Sequence, residues 1–331
     1  MTAPQEHIIH GIVRGDQHSI ARAISLVESD QPEATEILRS VFGRTGKGYR
    51  IGITGPPGAG KSTITNKLAR IYRDEKLRVG VIAVDPTSPF TGGALLGDRV
   101  RMTEVELDEG VFIRSMASRG SLGGLSRRAR EAADILDAAG CDVILMETVG
   151  VGQSELDIVR AVDTTIVVLV PESGDSIQAM KAGLMEIADF FVVNKADRAG
   201  ADQAVMSIKM ILNFRQQKNG WNPDVLQTVA QQGKGLDQVA RMIAAHRDFL
   251  ESHGLLEKKR ERRIVDRIRE LVGENLQINF WTPEREQRLS ENIQSVLNLE
   301  RTPYDIAEEL LSDFHLHQIH MKDPRSWQTN R

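Results

Sequence analysis

The segment GPPGAGKST constrains the fold of this chain more than any other feature. It follows a β-rich run that begins at Arg50, precedes a run with helical spacing, and satisfies the pattern G-x-x-x-x-G-K-[ST]. In a strand–loop–helix unit of this kind, backbone N–H groups surround a β-phosphate, the lysine reaches the β- and γ-phosphates, and the hydroxyl binds Mg²⁺. We therefore predict a nucleotide phosphate site formed by Gly55, Pro56, Pro57, Gly58, Ala59, Gly60, Lys61, Ser62 and Thr63.

Short apolar segments alternate with helical segments between Tyr49 and Val229. After the first strand, RIGITG, come VGVIAVD, a long insertion, DVILMETVG, TTIVVLV, FFVVNKAD and VLQTVA. Strands that are apolar throughout and separated by helices are typical of a parallel sheet covered on both faces. The sequence predicts an α/β fold with a doubly wound, mostly parallel sheet of P-loop type in residues 46–250.

Helical patterns flank this sheet on both sides. From Ile8 to Ser40 apolar residues recur at helical spacing, with a turn near Asp16. After about Leu236 no strand pattern remains, and Thr302 and Pro303 are typical of an N-cap and a first helical residue. We predict an N-terminal helical extension over residues 1–45 and a C-terminal helical region over residues 251–331.

The composition limits the classes of partner and the compartment. The formal net charge is −4 with both signs interspersed, which gives no footprint for nucleic acid or a membrane surface. Cys141 is the single cysteine, so neither an intramolecular disulfide nor a cysteine-based zinc site can form. No apolar run approaches the roughly 20 residues that span a bilayer. These features predict a soluble, cytoplasmic protein.

Acidic residues follow two of the strands and suit a magnesium site beside the phosphate loop. Asp85 ends the second strand, Asp98 lies in the insertion, and Glu147 ends the strand DVILME. The spacing of Glu147 and Gly150 matches E-x-x-G, in which the carboxylate serves Mg²⁺ and the glycine N–H meets the γ-phosphate. Gln153, in the same predicted switch, is a candidate for positioning water. The alternatives are a turn residue for Asp85, a helix cap for Asp98 and a surface residue for Gln153.

The segment FFVVNKAD distinguishes guanine from adenine. Asp197 can accept two hydrogen bonds from the guanine ring N–H and amino group, while the Lys195 stem covers the base and Asn194 braces the adjacent loop. Backbone N–H groups after the next strand are candidates for binding the guanine carbonyl oxygen. They belong to Thr228, Val229 and Ala230.

With these motifs the chain closely resembles the MeaB/ArgK family, the methylmalonyl-CoA mutase-associated GTPases. The resemblance runs nearly end to end and includes GDQHSIARAISLVES, VDPTSPFTGGALLGDRVRM, ETVGVGQSE, GDSIQAMKAGLMEIADFFVVNKAD and TPYDIAEELL. It implies a GTPase that forms a homodimer partly through the C-terminal helices. It also implies a chaperone that gates adenosylcobalamin loading and protects a cobalamin-dependent acyl-CoA mutase, methylmalonyl-CoA mutase being the first candidate.

The resemblance also implies roles for individual residues. The motifs themselves make Lys61, Glu147 and Gln153 the candidate catalytic residues. The resemblance makes Lys181 the counterpart of a lysine that couples the nucleotide state to the mutase. The magnesium residues are Ser62, Asp85, Asp98 and Glu147, and the guanine reader is Asp197. This chain departs from many relatives at PESGDS, and Ala182 stands where a second lysine is common. This departure lies in the segment that would couple the nucleotide state to the mutase, so it bears on which mutase the protein serves.

Three alternatives stay open. The first is an accessory GTPase for another acyl-CoA mutase, acting on isobutyryl-CoA or a related thioester. The second is a metal-insertion GTPase, for which His315, His317 and His320 are the relevant cluster, although a solvated helix also explains them. The third is a kinase for periplasmic amino-acid-binding proteins, which would use ATP and therefore conflicts with the guanine-selective motif.

Overall fold

The computed structural model describes residues 2–86, 108–118, 124–148, 158–173, 182–213 and 220–320. The strands are β1 Tyr49–Thr54, β2 Val79–Pro86, β3 Val111–Ser118, β4 Val143–Glu147, β5 Thr164–Leu169, β6 Phe190–Asn194 and β7 Val225–Thr228. The helices are α1 Ala3–Arg14, α2 Gln17–Glu28, α3 Pro32–Val41, α4 Lys61–Asp74, α5 Gly124–Ala138, α6 Ala182–Ile187, α7 Ala201–Asn213, α8 Leu236–Ser252, α9 Leu255–Phe280, α10 Pro283–Leu297 and α11 Pro303–His320. The chain forms two compact units, Met1–Arg260 and Glu261–Arg331.

The strands form one parallel sheet in the order β3-β2-β4-β1-β5-β6-β7. The strand order reverses around β1, because the chain passes from β4 on one side of β1 to β5 on the other. Doubly wound sheets bind ligands at the carboxyl ends of their strands near such a reversal. The predicted doubly wound fold is confirmed, and the phosphate loop leaves the sheet at this point.

Helices cover both faces of the sheet because side chains alternate along every strand. Ile166 and Val168 of β5 pack with α4 and α8 on one face. Val167 and Leu169 pack with α6 and α7 on the other. The rest of that second face, under β2 and β4, is covered by α5 and the N-terminal helices α1, α2 and α3. The central strands β1, β4, β5 and β6 are therefore buried on both faces.

The N-terminal helices confirm the helical spacing in the sequence. Asp16 caps α2 by accepting a hydrogen bond from the backbone N–H of Ser19 at 2.8 Å. Glu28 and Ser25 of α2 accept hydrogen bonds from the Arg114 guanidinium of β3. The extension is thus joined to the outer edge of the sheet.

The edge strand β3 is absent from the sequence-based prediction, which placed the whole segment in an insertion. It pairs with β2 over its full length, from Val79 opposite Val111 to Pro86 opposite Ser118. As an edge strand it is only half-buried between Phe112 and Ser115, where Arg114 interrupts the apolar run. An interrupted, half-buried run of this kind indicates a strand less clearly than the continuous apolar run of a central strand does.

In its described part the C-terminal unit consists of helices joined by short turns. Helix α11 begins as predicted, since Thr302 and Asp305 cap it reciprocally: the Asp305 N–H donates to Thr302 Oγ1, and the Thr302 N–H donates to the Asp305 carboxylate. Within the described part of the chain, no helix has the length and apolarity needed to cross a bilayer.

Candidate functional site

The loop between β1 and α4 is held close to the neighbouring strands. Gly55, Gly58 and Gly60 have φ angles of +135°, +74° and +90°, which L-residues with a side chain rarely adopt. A Cβ on Gly55 would lie 2.0 Å from the carbonyl oxygen of Val168, and one on Gly60 would lie 2.2 Å from Asn194 Nδ2. Glycine is therefore required sterically at both ends of the loop.

Lys61 opens α4 and is almost fully buried beneath this loop. Its Nζ donates to the carbonyl oxygens of Gly55 at 2.9 Å and Pro56 at 3.0 Å. The first turn of α4 adds backbone N–H groups that point towards the loop and the positive end of the helix dipole. The loop and the helix start thus concentrate positive charge and N–H donors at the end of β1, which suits an anionic ligand.

A carboxylate and two hydroxyl groups meet beside the loop. Glu147, at the end of β4, is 5% exposed. Its Oε1 accepts a hydrogen bond from Ser62 Oγ at 2.6 Å, and its Oε2 accepts one from Thr65 Oγ1 at 3.0 Å. The hydroxyl of Thr148 donates to that of Thr54 at 2.8 Å, which joins the ends of β4 and β1.

This donor set fits Mg²⁺ better than a softer metal. Hydroxyl and carboxylate oxygens are ligands that Mg²⁺ prefers, and it usually binds through one or two protein groups together with phosphates. No group of three or more His, Cys, Asp or Glu side chains suited to a metal occurs among the residues with a described placement. The hydroxyl and carboxylate oxygens present are donors of the kind that Mg²⁺ binds.

Several predicted site residues lie wholly or partly outside the described structure. The backbone of Asp85 lies in β2 opposite Ala117, near the end of the strand, but its side chain is outside the described part. Asp98, Gly150, Gln153 and Lys181 lie outside the described residues altogether. His315, His317 and His320 lie in α11, with side chains outside the described part.

Asn194 joins the phosphate loop to the second half of the site. Its Nδ2 donates to the carbonyl oxygen of Ala59 at 2.9 Å. Its Oδ1 accepts hydrogen bonds from Thr228 Oγ1 at 3.0 Å and from the Ala230 N–H at 3.1 Å. The side chain is 3% exposed, so these bonds are shielded from water. The bracing role expected from the sequence matches this geometry.

The residues after Asn194 extend this connection. Lys195 has a φ of +58°, and its Nζ donates to the carbonyl oxygen of Gly58 at 2.8 Å. The Ala196 N–H donates to the carbonyl oxygen of Thr228 at 3.0 Å. Asp197 follows on this turn and is exposed to solvent.

Two backbone N–H groups after β7 have hydrogen-bond partners within the protein. The Val229 N–H donates to the carbonyl oxygen of Lys234 at 3.1 Å, and the Ala230 N–H donates to Asn194 Oδ1. These bonds stabilise the loop, and the contacts expected from Thr228, Val229 and Ala230 to a guanine oxygen stay a prediction. The sequence motif predicts where this loop lies, but it does not show which of its N–H groups are already hydrogen-bonded within the protein.

Two further features of the candidate site have no motif in the sequence that marks them. Arg198 pairs with Glu172, just after β5, and this hydrogen bond lowers the pKa of the Glu172 carboxyl. Both side chains are about half exposed, so the pair orients the loop more than it stabilises the fold. The second feature is Thr65, which lies three residues after Ser62 and hence on the same helix face.

Comparison with known proteins agrees with this geometry. The family described as methylmalonyl-CoA mutase-associated GTPase MeaB matches residues 20–285. A putative GTPase of Pyrococcus abyssi is 48% identical over 311 residues, which cover 93% of this chain and 96% of the relative. GTPase ArgK of Escherichia coli is 38% identical over 284 residues, covering 83% of this chain and 86% of the relative.

A solved structure also resembles the chain as a whole. The crystal structure of an LAO/AO transport system kinase has a TM-score of 0.73 and 30% identity, and the alignment covers 95% of this chain and 99% of the other. Both the sequence and the fold are therefore shared over nearly the full length. This chain belongs to the MeaB family of methylmalonyl-CoA mutase-associated GTPases, a family of P-loop proteins that bind guanine nucleotides.

Proposed function

We propose that this protein binds GTP with Mg²⁺ and hydrolyses it to GDP and phosphate. We further propose that this cycle gates adenosylcobalamin loading into a cobalamin-dependent acyl-CoA mutase and protects that mutase from inactivation. The observation that carries the nucleotide proposal is the hydrogen-bonded connection from the phosphate loop through Asn194 to the segment bearing Asp197. It supports a single site with a phosphate end and a base end.

At the phosphate end, Lys61 would neutralise the β- and γ-phosphates, with the loop N–H groups around them. Ser62 and Glu147 would hold Mg²⁺, and Asp85 and Asp98 are proposed to complete its surroundings. When bound, the ion supplies positive charge that stabilises the charge developing on the phosphate oxygens. Support for this arrangement comes from the 2.6 Å contact between Ser62 Oγ and Glu147 Oε1.

In the switch segment we propose that the Gly150 N–H binds the γ-phosphate and that Gln153 positions the attacking water. A contact that depends on the third phosphate would make the segment respond to hydrolysis. We propose that Lys181 transmits this change to the mutase. Measuring GTP turnover by phosphate release for Gln153→Ala, with and without the mutase, tests the role of Gln153.

At the base end, Asp197 is the proposed guanine reader. Replacing it by Asn should weaken GTP binding by about 100-fold or more, because the guanine N–H groups then lose their acceptor. Xanthosine triphosphate should bind the Asp197→Asn variant better than GTP does. Asp248→Asn, on an exposed carboxylate of α8, is the matched control. Equal preference for GTP in the variant and the wild type would overturn the assignment, as would effective competition by ATP.

The mutase partnership is supported by the family description. Purified methylmalonyl-CoA mutase should bind the protein in a nucleotide-dependent manner and change its GTPase rate. The same assay with isobutyryl-CoA mutase decides between the two substrate classes. If neither mutase binds or alters the rate, the chaperone proposal fails while GTP hydrolysis can stand.

We propose that the functional form is a homodimer formed through the C-terminal helices. Helix α9 exposes an apolar stripe at helical spacing, and such a stripe in a soluble chain is typical of a buried interface. Its members are Ile264, Ile268, Leu271, Val272 and Leu276, each 39% to 55% exposed. Ile268→Glu should convert a dimer to a monomer in light scattering, whereas Arg269→Glu should not. A monomeric wild-type protein at micromolar concentration would refute this proposal.

A further inference from the structure

We propose that Thr65 is a positioning residue for magnesium, acting through Glu147. This inference rests on the proposed GTP and magnesium site. Thr65 is fully buried in the second turn of α4, and its hydroxyl lies 3.0 Å from Glu147 Oε2. Ser62 binds the other oxygen, Oε1, at 2.6 Å. One face of one helix thus contacts both oxygens of the carboxylate.

This arrangement matters because the Ser62 hydroxyl has a single proton, which needs an acceptor. An oxygen that uses a lone pair to bind a cation still needs an acceptor for its proton, and Glu147 Oε1 is that acceptor. The terminal torsion of a glutamate is broad, so the carboxylate plane is not fixed by its own rotamer preference. A hydrogen bond from Thr65 to Oε2 fixes that plane. With its proton donated to this fixed carboxylate, Ser62 Oγ keeps the lone pair that would bind the cation in one fixed direction.

The competing interpretation is a local helix bond. Thr65 Oγ1 also lies 2.9 Å from the carbonyl oxygen of Lys61, the usual acceptor for a threonine within a helix. If the proton goes only there, removing the hydroxyl affects helix stability and leaves magnesium binding unchanged. The two interpretations therefore differ in metal affinity.

The test measures metal affinity directly in the full-length protein with GDP bound. Mn²⁺ serves as the probe, followed by electron paramagnetic resonance, and Mg²⁺ affinity follows from competition. Thr65→Val keeps the shape of the side chain and should weaken metal binding about 10-fold or more, the usual effect of losing a residue that orients a ligand. Thr65→Ser restores the hydroxyl and should stay within about 3-fold of wild type.

Thr165→Val is the matched control. Thr165 is a fully buried threonine in β5, and among the described residues its hydroxyl has no hydrogen-bond partner. This control should leave metal affinity unchanged. Release of a fluorescent GDP analogue, measured with and without Mg²⁺, provides a second readout. Thr65→Val should lose most of the slowing that Mg²⁺ causes. Should Thr65→Val fail to fold, Thr65→Ala removes the same hydroxyl with a stronger helix former.

The outcomes separate this inference from the proposal beneath it. Wild-type metal affinity in a folded Thr65→Val or Thr65→Ala variant would overturn the positioning role. An equal loss in Thr65→Ser would also overturn it, because packing rather than the hydroxyl would then be responsible. Ser62→Ala tests the magnesium site itself. If it leaves Mn²⁺ affinity unchanged, the magnesium proposal and this inference both fail.

Discussion

Replacing Asn194 by Ala should damage stability and nucleotide binding together, because one side chain joins three segments. It bonds Ala59 of the phosphate loop, Thr228 at the end of β7, and Ala230 in the turn that follows. The substitution removes all three bonds without introducing a larger group. Loss of the bond to Ala59 frees the phosphate loop from β6.

The magnitude follows from the number of bonds and their burial. A typical intramolecular hydrogen bond contributes about 1 kcal/mol net, so the three together predict a loss of about 3 kcal/mol in the free energy of unfolding. Thr228→Val removes one bond and should cost about 1 kcal/mol. Each single variant loses the bond between Asn194 and Thr228, but the double variant loses this same bond only once. A coupling of about 1 kcal/mol should therefore appear in the double-mutant cycle.

Urea unfolding followed by circular dichroism measures these free energies, and binding of a fluorescent GDP analogue measures the effect on the site. Asn194→Ala should weaken analogue binding, while Thr228→Val, which leaves the bond to Ala59 in place, should have the smaller effect. A loss below about 1 kcal/mol for Asn194→Ala would refute the assignment of three net-stabilising bonds. Strict additivity in the cycle would refute the direct bond between Asn194 and Thr228.

Two further perturbations test the loop and the packing below the sheet. Gly55→Ala should abolish nucleotide binding, because the new Cβ would lie 2.0 Å from the Val168 carbonyl oxygen. Gly46→Ala, where φ is also positive but no atom lies within 4 Å of the new Cβ, should retain binding in the same fluorescence assay. His246 should reduce stability in acid, because burial, the largest effect, lowers its pKa below the ordinary value of 6.5. Below about pH 6.5 the unfolded chain binds the proton first, so stability should fall by up to about 1.4 kcal/mol per pH unit until the folded-state pKa is reached. Above about pH 6.5 both the folded and the unfolded chain carry neutral His246, so the group contributes no slope there. Urea unfolding from pH 7.5 to 5.5 checks this, and His246→Gln should show a shallower decline; an equal decline would contradict it.

The sequence predicts the central sheet well because its strands are buried on both faces. In β6, for example, Phe190 to Val193 are all fully buried, and the sequence shows an unbroken apolar run. The edge strand β3 carries Arg114, which bonds Glu28 of α2, a partner 86 residues away. Such a pairing depends on tertiary structure and leaves no local pattern.

The same distinction applies to the site. Lys61, Ser62 and Asn194 each belong to a sequence motif, so they can be proposed as site residues from the sequence alone. Thr65 has no such motif, since a threonine in a helix usually bonds its own backbone. Its contact with Glu147 spans 82 residues of sequence. Likewise, the Val229 N–H bonds the carbonyl oxygen of Lys234, and backbone hydrogen bonding of this kind in a short turn cannot be predicted from two apolar residues.

Strand order explains why one loop can serve both ends of the site. In the sequence, the phosphate loop precedes Glu147, which precedes Asn194. In the sheet, β1 lies between β4 and β5, and β6 follows β5. The loop that leaves β1 therefore has the carboxylate of Glu147 on one side and the amide of Asn194 on the other. Ser62 contacts the first and Ala59 contacts the second, only three residues apart. A sheet with β4 and β1 exchanged would keep every motif in the sequence, but it would place β4 between the loop and β5. The short contacts that join the two ends could not then form, so the function proposed here depends on the crossover as much as on the motifs.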